Sequence, residues 1–210
     1  MGTDRLKAWF NVFLTVFGMS CVMFYAAATV DTWRFQRDAK IRVEKMVTID
    51  RPPSVPQRAP EVARLKTGEI IGRVDIPRLQ LSAAVAEGDD EKTLRTAVGH
   101  LPDTPLPWQR SGNVAFAAHR DGLFRPLERI ELKDEVRIVT PRGDYHYKVT
   151  KKHIVDPNDV WVLAPTATPT ITLITCYPFA FIGNAPRRFI VQAELVGHVA
   201  GSVLTGSVVK

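Results

Sequence analysis

The sequence predicts an all-β domain, a barrel or sandwich of seven or eight short strands, carried behind an N-terminal transmembrane helix. Three observations predict it. Residues 8–30, AWFNVFLTVFGMSCVMFYAAATV, hold no formal charge. Residues 51–60, RPPSVPQRAP, hold four prolines. Beyond residue 68 the apolar residues come in short β-branched and aromatic runs separated by Gly, Pro and Asp, the pattern of strands and tight turns. The composition agrees with a folded chain of 210 residues: 45% hydrophobic and 24% charged exclude a disordered protein. The net charge of +6 is spread without a dense Lys/Arg run, which argues against nucleic-acid binding. Two cysteines, Cys21 and Cys176, are too few for a disulfide scaffold or a zinc ribbon.

The run 8–30 would make a helix of about 34 Å at ~1.5 Å per residue, enough for a hydrocarbon core of ~30 Å. Trp9, Tyr25 and Trp33 stand near its ends, where amphipathic rings favour the membrane interface. Ala26-Ala27-Ala28 also offers a small-residue signal-peptidase site, but the apolar run is long for a signal peptide, so an uncleaved anchor is favoured. Arg5 and Lys7 precede the run, and Arg34, Arg37, Lys40, Arg42 and Lys45 follow it. Counted naively, these charges put the C-terminal side in the cytoplasm, a rule that weakens for a long translocated domain.

Residues 32–45 are charged and can extend the helix as a stalk. The prolines of 51–60 cannot continue a helix or join a central strand, so this segment reads as an extended linker. The chain therefore divides into an N-terminus and anchor (1–31), a stalk and linker (32–67), a folded domain (68–197) and a short tail (198–210) expected to be flexible. Within the domain, strands are expected at 70–76, 79–85, 113–119, 135–140, 145–155, 170–176 and 188–195. Pro141-Arg142-Gly143-Asp144 is a hairpin loop between two of them. Residues 90–98 read as the one internal helix.

Three residues carry candidate chemistry. Cys176 ends the apolar run ITLITC, and Pro178 stops the strand. Free cysteine is often merely a small buried residue; in an oxidising space a lone thiol asks for a function. His119 ends the run NVAFAAH at the polar turn Arg120-Asp121-Gly122, a place where functional groups gather on a rigid scaffold. A His beside a Cys can support a thiolate and return a proton to a leaving group. Arg187 and Arg188 open the run FIVQAEL. An arginine there can hold an oxyanion or a substrate carbonyl, or be a solvated charge at a strand start. Individually each residue has an ordinary structural explanation; their combination and order point to a cysteine enzyme.

That order and the local words resemble the sortase family. Thr172-Leu173-Ile174-Thr175-Cys176 matches its T-L-x-T-C pattern, and Tyr177-Pro178-Phe179 extends it as in class D. His119-Arg120-Asp121 with Phe124-Arg125-Pro126-Leu127 is similar to the histidine motif of that class. Arg188 with Phe189-Ile190-Val191-Gln192-Ala193 matches the arginine strand, and Gly72–Pro77, GRVDIP, resembles the opening strand. The likeness covers about 68–196. Ala118 stands where Gly is usual and Gly122 where Thr is common. The resemblance implies an eight-stranded β-barrel and a membrane-anchored bacterial cysteine transpeptidase that cuts a Leu-Pro-x-Thr-Gly-like signal, or one with Ala last, after Thr. It implies Cys176 as nucleophile, His119 as acid/base and Arg188 as oxyanion or substrate clamp, with Thr172, Leu173 and Thr175 at the substrate. The expected partners are surface proteins bearing a sorting signal, an amine from a cell-wall precursor or a pilin lysine, and the membrane. No cofactor is expected; a calcium requirement would need a carboxylate cluster that sequence does not place. Because the substrates lie outside the cytoplasmic membrane, the domain is expected on the outer side, against the naive charge count.

Leu101-Pro102-Asp103-Thr104 spells such a signal within the chain itself. A genuine signal precedes an apolar segment and a basic tail near a C-terminus; here Pro105 and further strands follow, so this word is read as part of the fold. Two rival readings remain at this stage: another secreted cysteine peptidase or L,D-transpeptidase, and a non-catalytic, membrane-tethered peptide-binding barrel. The first is disfavoured by order, because papain-like enzymes place Cys before His and no Ser-His-Gly-Cys word precedes Cys176. The second is disfavoured because Cys176, His119 and Arg188 are all present.

Overall fold

Alternating apolar positions give strands that each bury one face, and here eight of them close on themselves. A computed structural model describes residues 2–48, 65–181 and 183–200. The strands are β1 (Ile70–Ile76), β2 (Leu81–Glu87), β3 (Val98–His100), β4 (Asn113–Ala117), β5 (Glu135–Thr140), β6 (Gly143–Val155), β7 (Thr170–Tyr177) and β8 (Arg187–Ala200). They form a closed barrel in the order β1-β2-β3-β4-β7-β8-β6-β5. Closure removes free edges, the main hazard of an all-β domain. Two neighbouring pairs, β2–β3 and β4–β7, are parallel; the others are antiparallel.

The inward residues make one core, with Val74, Val85, Phe116, Ile138, Tyr147, Leu173 and Val191 all essentially inaccessible. Gly72 lies where β1 crosses β5 so closely that a Cβ would collide with the Val139 carbonyl, and the β1–β2 register shifts beside it. The turn after β1 is tied to the turn before β5: Arg78 donates to both Asp134 carboxylate oxygens and to the Arg129 carbonyl. The Arg78 hydrogen bond holds the Asp134 carboxyl below its ordinary range.

Several expectations are revised. The second strand begins at Leu81, because Pro77–Leu79 winds into a 3-10 turn. The internal helix, α2, is shorter, Glu91–Thr96, capped by the Asp90 carboxylate on the Lys92 and Thr93 amides. Val98–His100, expected partly as helix end, is instead strand β3, pulled into the barrel by β2 and β4. The expected tail begins too early: β8 runs to Ala200, with His198 opposite Tyr145; positions 201–210, like the linker 51–60, lie outside the described residues. Leu101–Thr104 is built into the fold, where the Thr104 hydroxyl donates to the Leu101 carbonyl and accepts from the Ala115 amide.

Residues Gly2–Thr48 form one helix, α1. Its far end docks on the barrel through Gln36, which donates to the Thr96 carbonyl at 2.6 Å and accepts from the Ala84 amide at 2.6 Å. Among the described residues, no helix is long and apolar enough to cross a membrane, so the transmembrane expectation is not a finding of the structure.

Candidate active site

The topology delivers three loop ends to one place. β4 and β7 run parallel and side by side, paired from Asn113↔Thr170 to Ala117↔Ile174. Two residues on, His119 and Cys176 leave the same end of the barrel on neighbouring strands. β8 is antiparallel to β7 and starts where β7 stops, so Arg188 stands directly opposite Cys176, and Arg187 opposite Tyr177. The β4–β7 ladder continues into the turn, where the Ala118 amide donates to the Ile174 carbonyl at 3.2 Å and the Thr175 hydroxyl to the Ala118 carbonyl at 2.8 Å.

Strand alternation decides which face the groups use. Val114, Phe116 and Ala118 of the β4 segment, Ile171 and Leu173 of β7, and Val191 and Ala193 of β8 point into the barrel. His119, Cys176 and Arg188 carry the opposite parity and lie on the outer face. A second, smaller cluster covers that face: Ile174 and Ile190 meet Val155, Val162 and Leu163. The last two come from a 3-10 turn, Val160–Leu163, in the connection between β6 and β7. This connection roofs the sheet and leaves a cleft of about 440 Å³ lined by His119, Thr175, Cys176 and Arg188 together with Leu94, Leu101, Val160 and Leu163, a volume suited to a peptide or small ligand. The charged groups on its wall besides Arg188 are Asp89, Asp156 and Asp159.

Cys176 is a free thiol, partly exposed, and is therefore open to a substrate rather than sealed in the core. The Arg188 guanidinium donates to the Ala185 and Arg187 carbonyls at 3.4 and 3.1 Å, and among the described residues no carboxylate pairs with it. Arg187 does not line the cleft; it is mostly exposed and lies 3.9 Å from Asp156 at the cleft wall. Of the two departures from the resemblance, Ala118 packs in the core and borders the cleft, and a Cβ on Gly122 would meet His119 only at ordinary contact distance.

The three residues expected at the substrate fare differently. Leu173 is fully buried inside the barrel and out of a substrate's reach, a correction of the expectation. Thr172 is also fully buried, its hydroxyl committed to the Asn113 side-chain oxygen at 2.7 Å, so its role is structural too. Thr175 borders the cleft, but its hydroxyl serves the Ala118 carbonyl.

Sequence reading missed Asn113. From the first position of β4 its amide donates to the Val162 and Ala164 carbonyls at 2.8 and 3.3 Å, pinning the roof to the sheet. The available signal was a polar residue opening the apolar run VAFAA. Asn113→Ala would leave the Thr172 hydroxyl and two roof carbonyls without this partner. A loss of about 1–3 kcal/mol is expected, read from urea unfolding. If the roof shapes the peptide cleft, KM should rise several-fold with the same variant.

Comparison with known proteins decides the class. A family model described as the Sortase domain matches residues 74–196. The chain belongs to the sortase family. It is 30% identical over 163 residues to sortase D of Bacillus subtilis, covering 76% of this chain and 82% of that one. A solved sortase D5 transpeptidase from Clostridium perfringens superposes with a TM-score of 0.66 at 24% identity, covering 78% of this chain and 99% of the other. Sortase E1 from Streptomyces coelicolor, solved with a tripeptide in its active site, gives a TM-score of 0.59 at 27% identity, covering 63% and 91%. Sortases are cysteine transpeptidases of the cell surface that act on surface proteins with sorting signals, so this chain is an enzyme of that kind. The non-catalytic and L,D-transpeptidase readings are set aside. Among the described residues, no group of three or more His, Cys, Asp or Glu side chains is arranged to hold a metal ion.

Proposed function

We propose that this sortase cleaves a Leu-Pro-x-Thr-Gly or Leu-Pro-x-Thr-Ala signal after Thr, through a thioester on Cys176, and passes the acyl group to an amine. The supporting observation is the convergence of His119, Cys176 and Arg188 in one outer-face cleft. The Cys176 thiol gives its proton to His119, and its sulfur attacks the threonyl carbonyl, whose π-electron pair moves to the oxygen that Arg188 steadies. The C–N bond then breaks as His119 gives a proton to the departing amine. An incoming amine attacks the thioester, His119 takes its proton, and the Cys176 sulfur leaves. Dividing the exchange into two steps is the gain of covalent catalysis, and every group used belongs to the chain, so the proposal invokes no cofactor. The acceptor is a cell-wall precursor or a pilin lysine.

The proposal includes attachment to the bacterial membrane through the uncharged run 8–30, domain outward. It is supported by the sequence and by the exposure of Phe13, Phe17, Met23 and Phe24 on α1: apolar side chains that nothing among the described residues covers suit lipid or a protein interface. The deciding experiment incubates a protein starting near residue 64 with a library of sorting-signal peptides and a small amine. Release of the residue after Thr, with amine-dependent ligation of the remainder, is the expected result. Cleavage at an unrelated sequence, or none with any signal of this kind, would overturn it.

A further inference from the structure

The turn that follows His119 is pinned by its own backbone. The amides of Gly122 and Phe124 both donate to the His119 carbonyl at 3.2 Å, and Phe124 is fully buried in the core. From this base two arginines reach across to the connection between β7 and β8, residues 178–186, which joins Cys176 to Arg188. Arg120, only 9% exposed, donates through one guanidinium nitrogen to the Phe181 carbonyl at 2.7 Å and the Gly183 carbonyl at 2.8 Å. Its guanidinium carbon lies 5.7 Å from the centre of the Phe181 ring. Arg125 donates to the Phe179 carbonyl at 2.7 Å. Charge-assisted bonds to carbonyls are roughly twice as strong as neutral ones, and three of them bind one loop to the other.

Among the described residues no carboxylate neutralises Arg120, and its other terminal nitrogen is buried without a partner. A buried cation left in this state costs stability, so stability alone is a poor account of an arginine here. We propose that Arg120 is a positioning residue: it locks the 178–186 connection to the His119 turn and thereby fixes His119 relative to Cys176 and Arg188. Two of the three groups hang on the ends of one nine-residue connection and the third on the turn Arg120 starts from. Without the Arg120 clasp their spacing would rest on the strand pairing, which ends at Ala117 and Ile174 for β4–β7, on the Ala118–Ile174 and Thr175–Ala118 hydrogen bonds just beyond it, and on the Arg125 bond to Phe179. Misplacement by about 1 Å can cost on the order of 100-fold in rate.

This inference rests on the sortase chemistry proposed above, and its test separates the two. Hydrogen exchange of segments 119–125 and 178–186 is measured in the full chain for the wild type, Arg120→Ala, Arg120→Lys and Arg125→Ala, with kcat and KM for a sorting-signal peptide. In Arg120→Ala both segments should exchange faster while the β7 and β8 amides stay protected. Its kcat should fall roughly 10- to 100-fold with KM within about two-fold. Arg120→Lys, which keeps the charge but loses the planar fork, should recover part of kcat, and Arg125→Ala should lose less than Arg120→Ala. Unchanged exchange in 178–186, or a loosened loop with kcat near wild type, would overturn the proposal. A rise in KM alone would also overturn it, by making Arg120 a substrate contact. If the wild type turns over no such peptide, the substrate reading fails, and the exchange of 178–186 in Arg120→Ala still decides whether Arg120 holds the loop.

Discussion

Cys176→Ala is expected to abolish both cleavage of a sorting-signal peptide and transfer to an amine. Alanine has no electron pair to offer the carbonyl, and among the described residues the other cysteine, Cys21, lies on α1, not on the barrel. The variant should fold normally: the thiol is partly exposed and replaced by a smaller apolar group, a change worth about 1 kcal/mol or less at such a site. Equal thermal melting and peptide binding with no turnover is the signature to look for. Mass spectrometry of the wild type stopped with peptide present should show an acyl adduct on the fragment containing Cys176, absent from the variant. Retention of transpeptidation by Cys176→Ala would remove the thioester from the mechanism. Cys21→Ala should keep full activity.

The parts of this molecule that are local in sequence were legible there. β1 and β5 fall on the runs Ile70–Ile76 and Glu135–Thr140 because each is a short β-branched stretch bounded by turn formers. The candidate residues His119, Cys176 and Arg188 were picked out as words, since each motif lies at a single strand end. What stayed hidden depends on chain ends meeting across the barrel. β3 is three residues long and becomes a strand through β2 and β4, not through any propensity of Val-Gly-His. The roof over the cleft is held by Asn113 bonding 49 residues away. The Arg120 clasp spans 61 and 63 residues. Leu173 is a different case. With Cys176 outward, period-two alternation alone places 173 inward, so its assignment to substrate contradicted a rule the sequence already supplied.

The same alternation makes the second large prediction, which separates two adjacent and chemically identical side chains. Arg188 pairs with Cys176 across the β7–β8 ladder and lines the cleft. Arg187 pairs with Tyr177, does not line the cleft, and is mostly exposed beside Asp156. Directly opposed residues have Cβ atoms about 5 Å apart on one face, close enough for a long guanidinium to reach a carbonyl held at the Cys176 sulfur. Its bonds to the Ala185 and Arg187 carbonyls are local, and the one to Ala185 is long at 3.4 Å, so a substrate oxygen can compete for its donors. Removing one oxyanion donor costs on the order of 10²–10³ in turnover. Arg188→Ala should lose about that much in kcat/KM, and Arg187→Ala at most a few-fold. Arg188→Lys should remain poor, because an ammonium cannot present the two parallel donors of a guanidinium. All three are compared with one sorting-signal peptide at matched thermal stability. A crippled Arg187→Ala beside a near-normal Arg188→Ala would mean that the β7–β8 register is displaced by one residue at its open end. Near-normal rates in both would transfer the oxyanion to backbone amides at the β7 terminus. Thr175 is a poor substitute in that case, since its hydroxyl already donates to the Ala118 carbonyl.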